Sequence, residues 1–147
     1  MQGRGACRWQ RTSAPNVTID VTEGDAIAKV LKMTDGYGCD VYIEATGAGA
    51  AITQGLQMIR RLGTFVEFSV HAGPFAVDWS VIGDQKELDI HGSHLGPYMY
   101  PLAIQYLRDR VVDGGRLVSH ALTLDQFSRG IDIAQAGEES IKVVLTS

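Results

Sequence analysis

A chain of 147 residues is long enough for one domain with a real core, and 45% hydrophobic with 20% charged residues is an ordinary globular composition. The formal charge of −4 excludes a basic nucleic-acid surface, and no apolar run approaches the length of a membrane span. Two cysteines, Cys7 and Cys39, stand far apart and form no CxxC pair, which fits a reducing cytoplasmic setting rather than a disulfide framework.

Residues 1–15 (MQGRGACRWQRTSAP) carry Arg4, Arg8 and Arg11, no acid, and neither helical nor strand periodicity. Arg-rich, acid-poor leaders include transit peptides, but the plainer reading is a disordered N-terminus. From Asn16 the pattern becomes regular, so 16–147 is read as one structured region. Val17–Val21 alternates as a strand. Thr22 with Asp25 makes a capping-box signature before a helix with Ile27, Val30 and Leu31 on one face. Asp35-Gly36-Tyr37-Gly38 is a turn.

The centre of the chain is a strand, Asp40–Thr46, then a turn at Gly47 and a helix carrying Ile52, Leu56 and Ile59. Arg60 and Arg61 suit its last turn and Gly63 its end, so Thr64–Val70 reads as the next strand. Strand, helix and strand in that order imply a βαβ unit and a parallel sheet. A loop over 71–84 leads to Lys86–Ser93, whose alternation fits a strand near a sheet edge. Pro97 suits the start of a helix with Met99, Leu102, Ala103 and Tyr106 facing inward. Leu117–Leu122 is a further strand. Thr123 with Gln126 opens a helix, with Phe127, Ile131 and Ala134 inward and Gly137 past its end. Ser140–Thr146 closes the chain as a strand. The fold class is α/β.

Ligands of such sheets bind at the carboxyl ends of the strands, which marks Thr46, Gly47, Ser69 and Val70 as site candidates. Gly47-Ala48-Gly49-Ala50-Ala51-Ile52 follows a strand and opens a helix, as a dinucleotide fingerprint would. Ile52 is too large for the third glycine position, and Glu67 is expected within its strand rather than at the end where a ribose-binding acid belongs. A tight small-residue turn beside a ligand is the favoured reading. His71, His91, His94 and His120 find no cysteine or acid at metal-ligand spacing, so no metal site is expected and solvated or loop histidines are the default. Ser69 and Ser93 have no GxSxG context. Lys86 and Glu87 read as a solvated strand end, and Tyr98, Tyr100 and Tyr106 as helix-face packing.

DVYIEATGAG, RRLGTFVEFS, KELDIHGSH and the closing SIKVVLTS, in this order and spacing, resemble the C-terminal part of zinc-type medium-chain alcohol dehydrogenases. The polyol and sorbitol dehydrogenase branch is nearest. The resemblance runs from about Asn16 to Ser147 and implies a partial Rossmann-like parallel sheet with flanking helices. The family sheet runs C-B-A-D-E-F; Val17–Val21 resembles strand C, Asp40–Thr46 strand D, Thr64–Val70 strand E and Lys86–Ser93 strand F. Strands A and B are absent, and with them the GxGxxG turn. The N-terminal catalytic domain, with its zinc ligands and proton relay, is absent too.

The resemblance further implies cofactor-binding residues at the ends of D, E and F: Thr46 and Gly47, Ser69 and Val70, His94 and Leu95. It implies NAD or NADP as cofactor, zinc held by residues outside this chain, an alcohol or polyol substrate, and pairing of two copies through Lys86–Ser93. Ser69 stands where relatives often have Gly, and Leu95 where sorbitol dehydrogenases carry Arg. The chain is thus expected to be a piece of an NAD(P)-dependent dehydrogenase, with no catalytic residue of its own and no activity alone. The alternative is a non-catalytic nucleotide-binding or dimerisation module using Gly47–Ile52. With A and B missing, strand D is expected to lie unprotected, favouring marginal stability or self-association.

Overall fold

A computed structural model describes residues 16–138 and 140–147. The N-terminal stretch 1–15 lies outside the described residues. The chain divides into two compact units, residues 21–97 and residues 16–20 with 98–147.

The first unit opens with helix α1, Ala26–Met33. Asp25, not Thr22, is its N-cap: the carboxylate accepts from the Ile27 and Ala28 N–H groups. This satisfies two of the amides that a helix start leaves without intrahelical partners. Ile27, Val30 and Leu31 are half-buried, on the face the periodicity predicts. Strand β1, Cys39–Glu44, follows the turn at 35–38, and helix α2, Gly49–Met58, crosses to strand β2, Ile59–Glu67. A π-helical turn at Val81–Gln85 precedes strand β3, Asp89–Gly92. The three strands pair in parallel in the order β1-β2-β3. That is the D-E-F order implied by the resemblance.

The fourth expected strand does not form. Val17–Val21 is irregular and joins no strand ladder among the described residues. The edge of β1 that faces away from β2 pairs with no strand among the described residues.

The core is small. Leu56, Met58, Ile59 and Phe65 are its buried hydrophobics, with Tyr42, Ile52, Val77, Val81, Ile82 and Leu88 packed around it. Tyr42 and Phe65 stack at 5.3 Å between ring centroids. The Tyr42 hydroxyl donates to the Ala51 carbonyl at 2.9 Å. Gly55 admits the Tyr42 ring: a Cβ there would lie 2.3 Å from it. The close approach of helix to strand that a dinucleotide fingerprint assigns to its third glycine therefore falls at Gly55, while Ile52 packs at the core's margin.

The largest departure from the sequence reading is at Ile59–Gly63. Arg60 and Arg61 belong to β2, not to the last turn of α2, and the strand begins at Ile59 rather than Thr64. Cys39 pairs with Ile59 but Val41 pairs with Thr64, so β2 bulges outward between the two registers. Arg60 holds the bulge: its side chain donates to the Arg61 and Leu62 carbonyls at 2.7 and 2.8 Å and to Asp40 at 2.6 Å. Lys86 stops the helix. Its ammonium, half-buried, donates to the Leu56 and Ile59 carbonyls at 2.5 and 2.6 Å, while the Leu62 N–H donates to the Lys86 carbonyl. Lys86 is thus a cap reaching across thirty residues, not a solvated strand end. Replacing it with Met should destabilise the chain by about 1–3 kcal/mol, because buried carbonyls would lose their donor. Equal urea midpoints for wild type and Lys86→Met would refute this role.

In the second unit, helix α3, Tyr100–Arg108, begins at Tyr100 with Pro101 in its first turn, rather than at Pro97. None of its residues is buried; Met99, Leu102, Ala103 and Tyr106 do not form an inward stripe, and Tyr98 and Tyr100 are exposed. A short helix α4, Gly114–Leu117, leads to strand β4, His120–Thr123. The Thr123–Gln126 capping box forms as expected, with a 3₁₀ turn at Leu124–Gln126 before helix α5, Phe127–Ala136. Gly137 ends this helix in the left-handed conformation, and strand β5, Val143–Thr146, pairs parallel to β4. Gly130 and Ile133 face inward on α5, whereas Phe127, Ile131 and Ala134 are exposed. Leu122, Val143 and Leu145 lie against Gly130, at ordinary van der Waals distance from where a Cβ would sit. No helix among the described residues is long and apolar enough to cross a membrane.

Candidate functional site

The C-terminal ends of β1 and β2 carry a cluster centred on Glu44. Its residue is only 1% exposed, yet it is a carboxylate. One oxygen, Oε1, accepts from the Thr46 N–H at 2.7 Å, the Thr46 hydroxyl, and the Gly47 N–H at 3.2 Å. The other, Oε2, accepts from the Ser69 hydroxyl at the end of the neighbouring strand. Burial alone would raise the Glu44 pKa. The donors from Ser69, Thr46 and Gly47 outweigh it and lower the carboxyl to about 2. Glu44 therefore stays ionised and ties the two strand ends together.

Gly47 meets the same junction through its backbone. Its φ is +73°, and a Cβ there would lie 2.6 Å from the Val70 carbonyl oxygen. Only glycine lets the two loops come this close. The Gly47 carbonyl accepts from His71 Nδ1 at 3.1 Å. His71 Nε2 lies 3.0 Å from Glu67 Oε1, 3.4 Å from Ser69 Oγ and 3.8 Å from Glu44 Oε2. Ser69 also bonds Glu67 Oε1 through its hydroxyl at 2.9 Å and its N–H at 3.2 Å.

Of the six expected cofactor-binding residues, Thr46, Gly47 and Ser69 come together here. Val70 contributes its backbone carbonyl to the approach, and its side chain is 87% exposed. His94 and Leu95 leave the C-terminal end of β3, where Ser93 still donates to the Glu67 carbonyl; both are exposed and neither joins the cluster. Leu95 adopts φ +51°.

Three members of the cluster were not expected. Glu44 reads from the sequence as one residue of a short strand. Glu67 is the last residue of β2, not internal to its strand, and so faces the site. His71 is fixed by Gly47 and Glu67 rather than solvated in a loop. The signal available was the acid placed two residues before Thr46, next to a turn rich in free N–H donors. By contrast, Gly47–Ile52 spends its small residues on packing: the Phe75 ring lies where a Cβ of Gly49 would sit. Burial pushes the Cys39 thiol up from its usual value and outweighs the nearby Lys86 charge, so it is not an activated nucleophile. The cavity at the opposite end of β2, beside Tyr37, Ile59, Arg60, Arg61 and Lys86, contains none of the expected site residues.

Residues 15–109 match the zinc-binding dehydrogenase family. The chain belongs to that family. The erythritol/L-threitol dehydrogenase of Mycolicibacterium smegmatis is 43% identical over 130 residues, covering 88% of this chain and 36% of that protein. The sorbitol dehydrogenase of Halalkalibacterium halodurans is 33% identical over 132 residues, covering 87% of this chain and 37% of that protein. This zinc-binding dehydrogenase chain thus spans little more than a third of the length of these relatives. Its fold is that of an alcohol dehydrogenase from Escherichia coli CFT073 solved with NADH, at a TM-score of 0.85 and 17% identity, covering 100% of this chain and 43% of that one. Both of these relatives are polyol dehydrogenases, as the sequence resemblance leads one to expect, and the parallel sheet with flanking helices is the fold of the dehydrogenase solved with NADH.

The family description implies zinc. The catalytic zinc of alcohol dehydrogenase is held by two cysteines and a histidine. Cys39 is the one cysteine among the described residues, so that ligand set is not found in them and no catalytic step through zinc is assigned to them.

Proposed function

We propose that this chain supplies the nicotinamide-side wall of an NAD(P)-dependent dehydrogenase acting on a polyol or related secondary alcohol. The observation that carries this reading is the junction of Thr46, Gly47 and Ser69 at the ends of adjacent parallel strands, the place where sheets of this kind bind ligands. It occurs in a chain 43% identical to an erythritol/L-threitol dehydrogenase. The nicotinamide would accept hydride from the alcohol carbon. This chain's part is to hold that end of the cofactor: Glu44 fixes the positions of Thr46 and Ser69, while Val70, His94 and Leu95 line the rest of the wall. Ser69 and Leu95, where relatives carry Gly and Arg, adapt the wall to a substrate unlike sorbitol. Residues 16–147 act as a partial cofactor domain with a return segment, in the cytoplasm. Two copies pair through β3, which lies exposed at the sheet edge.

The test is a chimera. The matching segment of the Mycolicibacterium dehydrogenase is replaced by residues 16–147, and NADH binding and polyol oxidation are measured. The expected result is a chimera that binds NADH and turns over polyol, with KM for NAD changed by Ser69→Gly, while the isolated chain turns over nothing. A folded chimera that fails to bind NADH would sink the proposal, as would polyol oxidation by the chain alone.

A further inference from the structure

We propose that Glu44 Oε2, Glu67 Oε1 and His71 Nε2 form a binding site for one divalent transition-metal ion, tying the ends of β1 and β2. One ligand atom from each of Glu44, Glu67 and His71 lies within 4.8 Å of the others, the one such convergent group of His, Cys, Asp and Glu among the described residues. The separations from His71 Nε2, 3.0 Å to Glu67 and 3.8 Å to Glu44, bracket what neighbouring ligands need around a metal with bonds of roughly 2.0–2.2 Å. One imidazole and two carboxylates form a donor set suited to zinc or manganese.

The tautomer of His71 supplies a separate reason. The Gly47 carbonyl can only accept, so the proton of a neutral imidazole sits on Nδ1 and the lone pair of Nε2 points at the two carboxylates. A ring N–H given to a backbone carbonyl is also how metal-bound histidines are commonly oriented. Ser69 Oγ has one hydrogen and faces Glu44 Oε2, Glu67 Oε1 and His71 Nε2 together. With His71 neutral, these three acceptors share one donor proton, and a dication would satisfy all three. Glu44 Oε1 meanwhile keeps its bonds to Thr46 and Gly47, so ligation by Oε2 leaves the strand-end turn intact. This site is distinct in ligand type from the catalytic zinc of the family and does not rest on the cofactor reading. Its test contains no nicotinamide, so the two can fail separately.

The purified full chain is titrated with zinc and, separately, with manganese by calorimetry after EDTA treatment. Wild type should take up one equivalent. His71→Ala and Glu67→Gln should each weaken binding by about tenfold or more, whereas His94→Ala should change nothing. Circular dichroism in EDTA shows whether each variant is folded. For wild type, zinc should shift the imidazole nitrogen resonances of His71 ahead of those of His91, His94 and His120, a readout that needs no variant. No stoichiometric uptake, binding indifferent to His71→Ala in a folded variant, or a shift at the other histidines instead would each overturn the site. An ion pair between a doubly protonated His71 and the two carboxylates would then be what holds the cluster.

Discussion

Glu44→Gln should cost about 3 kcal/mol of folding stability at pH 7 and almost nothing near pH 2. The carboxyl has its pKa lowered from 4.5 to about 2 in the folded chain, because four donors from Thr46, Gly47 and Ser69 outweigh the penalty of burial. A depressed carboxyl pKa adds stability that is fully present above the unfolded value. It is lost as pH falls from there through the folded value, so the window is pH 4.5 down to about 2. Glutamine keeps one acceptor oxygen but presents an NH₂ to donors that need an acceptor, and it has no proton to gain in that window. Urea unfolding of both proteins at several pH values reads the effect, since other acids cancel in the difference. Parallel stability curves across the window would show that Glu44 is not the group holding the strand ends.

The elements and their order were largely legible, because hydrophobic period, turn residues and capping boxes are local. Asp35–Gly38, the Thr123–Gln126 box and the βαβ order all follow from residues within a few positions of one another. What was not legible depends on contacts between distant segments. Arg60 and Arg61 have good helix propensity, and nothing nearby says that Lys86 will take the carbonyls of Leu56 and Ile59 and turn the chain into a bulged strand. On α5 the apolar residues suggest Phe127 and Ile131 as the inner face. Gly130 takes that place instead, with Leu122, Val143 and Leu145 packed at ordinary van der Waals distance from where a Cβ would sit. Val17–Val21 alternates well yet makes no strand, since alternation describes a face and pairing needs a neighbour.

The site divides in the same way. Fold-level reasoning points to the strand ends, which can be counted from the sequence in a parallel sheet, and Thr46, Gly47 and Ser69 meet there around Glu44. It could not find Glu44, Glu67 and His71 as a set. Their proximity depends on which residue ends β2 and on the path of the loop after Ser69. A short acid-containing strand is usually read for its apolar residues. Here the acid is the more deeply buried: Glu44 is 1% exposed, while Val41 and Ile43 on the same strand are 52% and 60% exposed. Those two lie on the strand whose outer edge pairs with no other among the described residues.

Gly47→Val should be the most damaging single substitution at the junction, at about 2–5 kcal/mol. Two costs add. At φ +73° an L side chain is strained, and a Cβ would sit 2.6 Å from the Val70 carbonyl oxygen. That neighbour is backbone and cannot rotate away, so the loops after β1 and β2 would have to part. Parting them moves the Gly47 N–H from Glu44 and the Gly47 carbonyl from His71 Nδ1, so the strain spreads into the cluster. Gly73→Ala is the matched control: it lies in the same loop region, with no atom within 4 Å of its would-be Cβ, and should change stability by less than about 0.5 kcal/mol. Urea midpoints for the two variants compare them directly. Equal effects would mean that the loops can separate freely and that the junction is not a rigid platform. A large effect at Gly47 alone would give that glycine a backbone reason to exist, independent of any phosphate resting on the helix behind it.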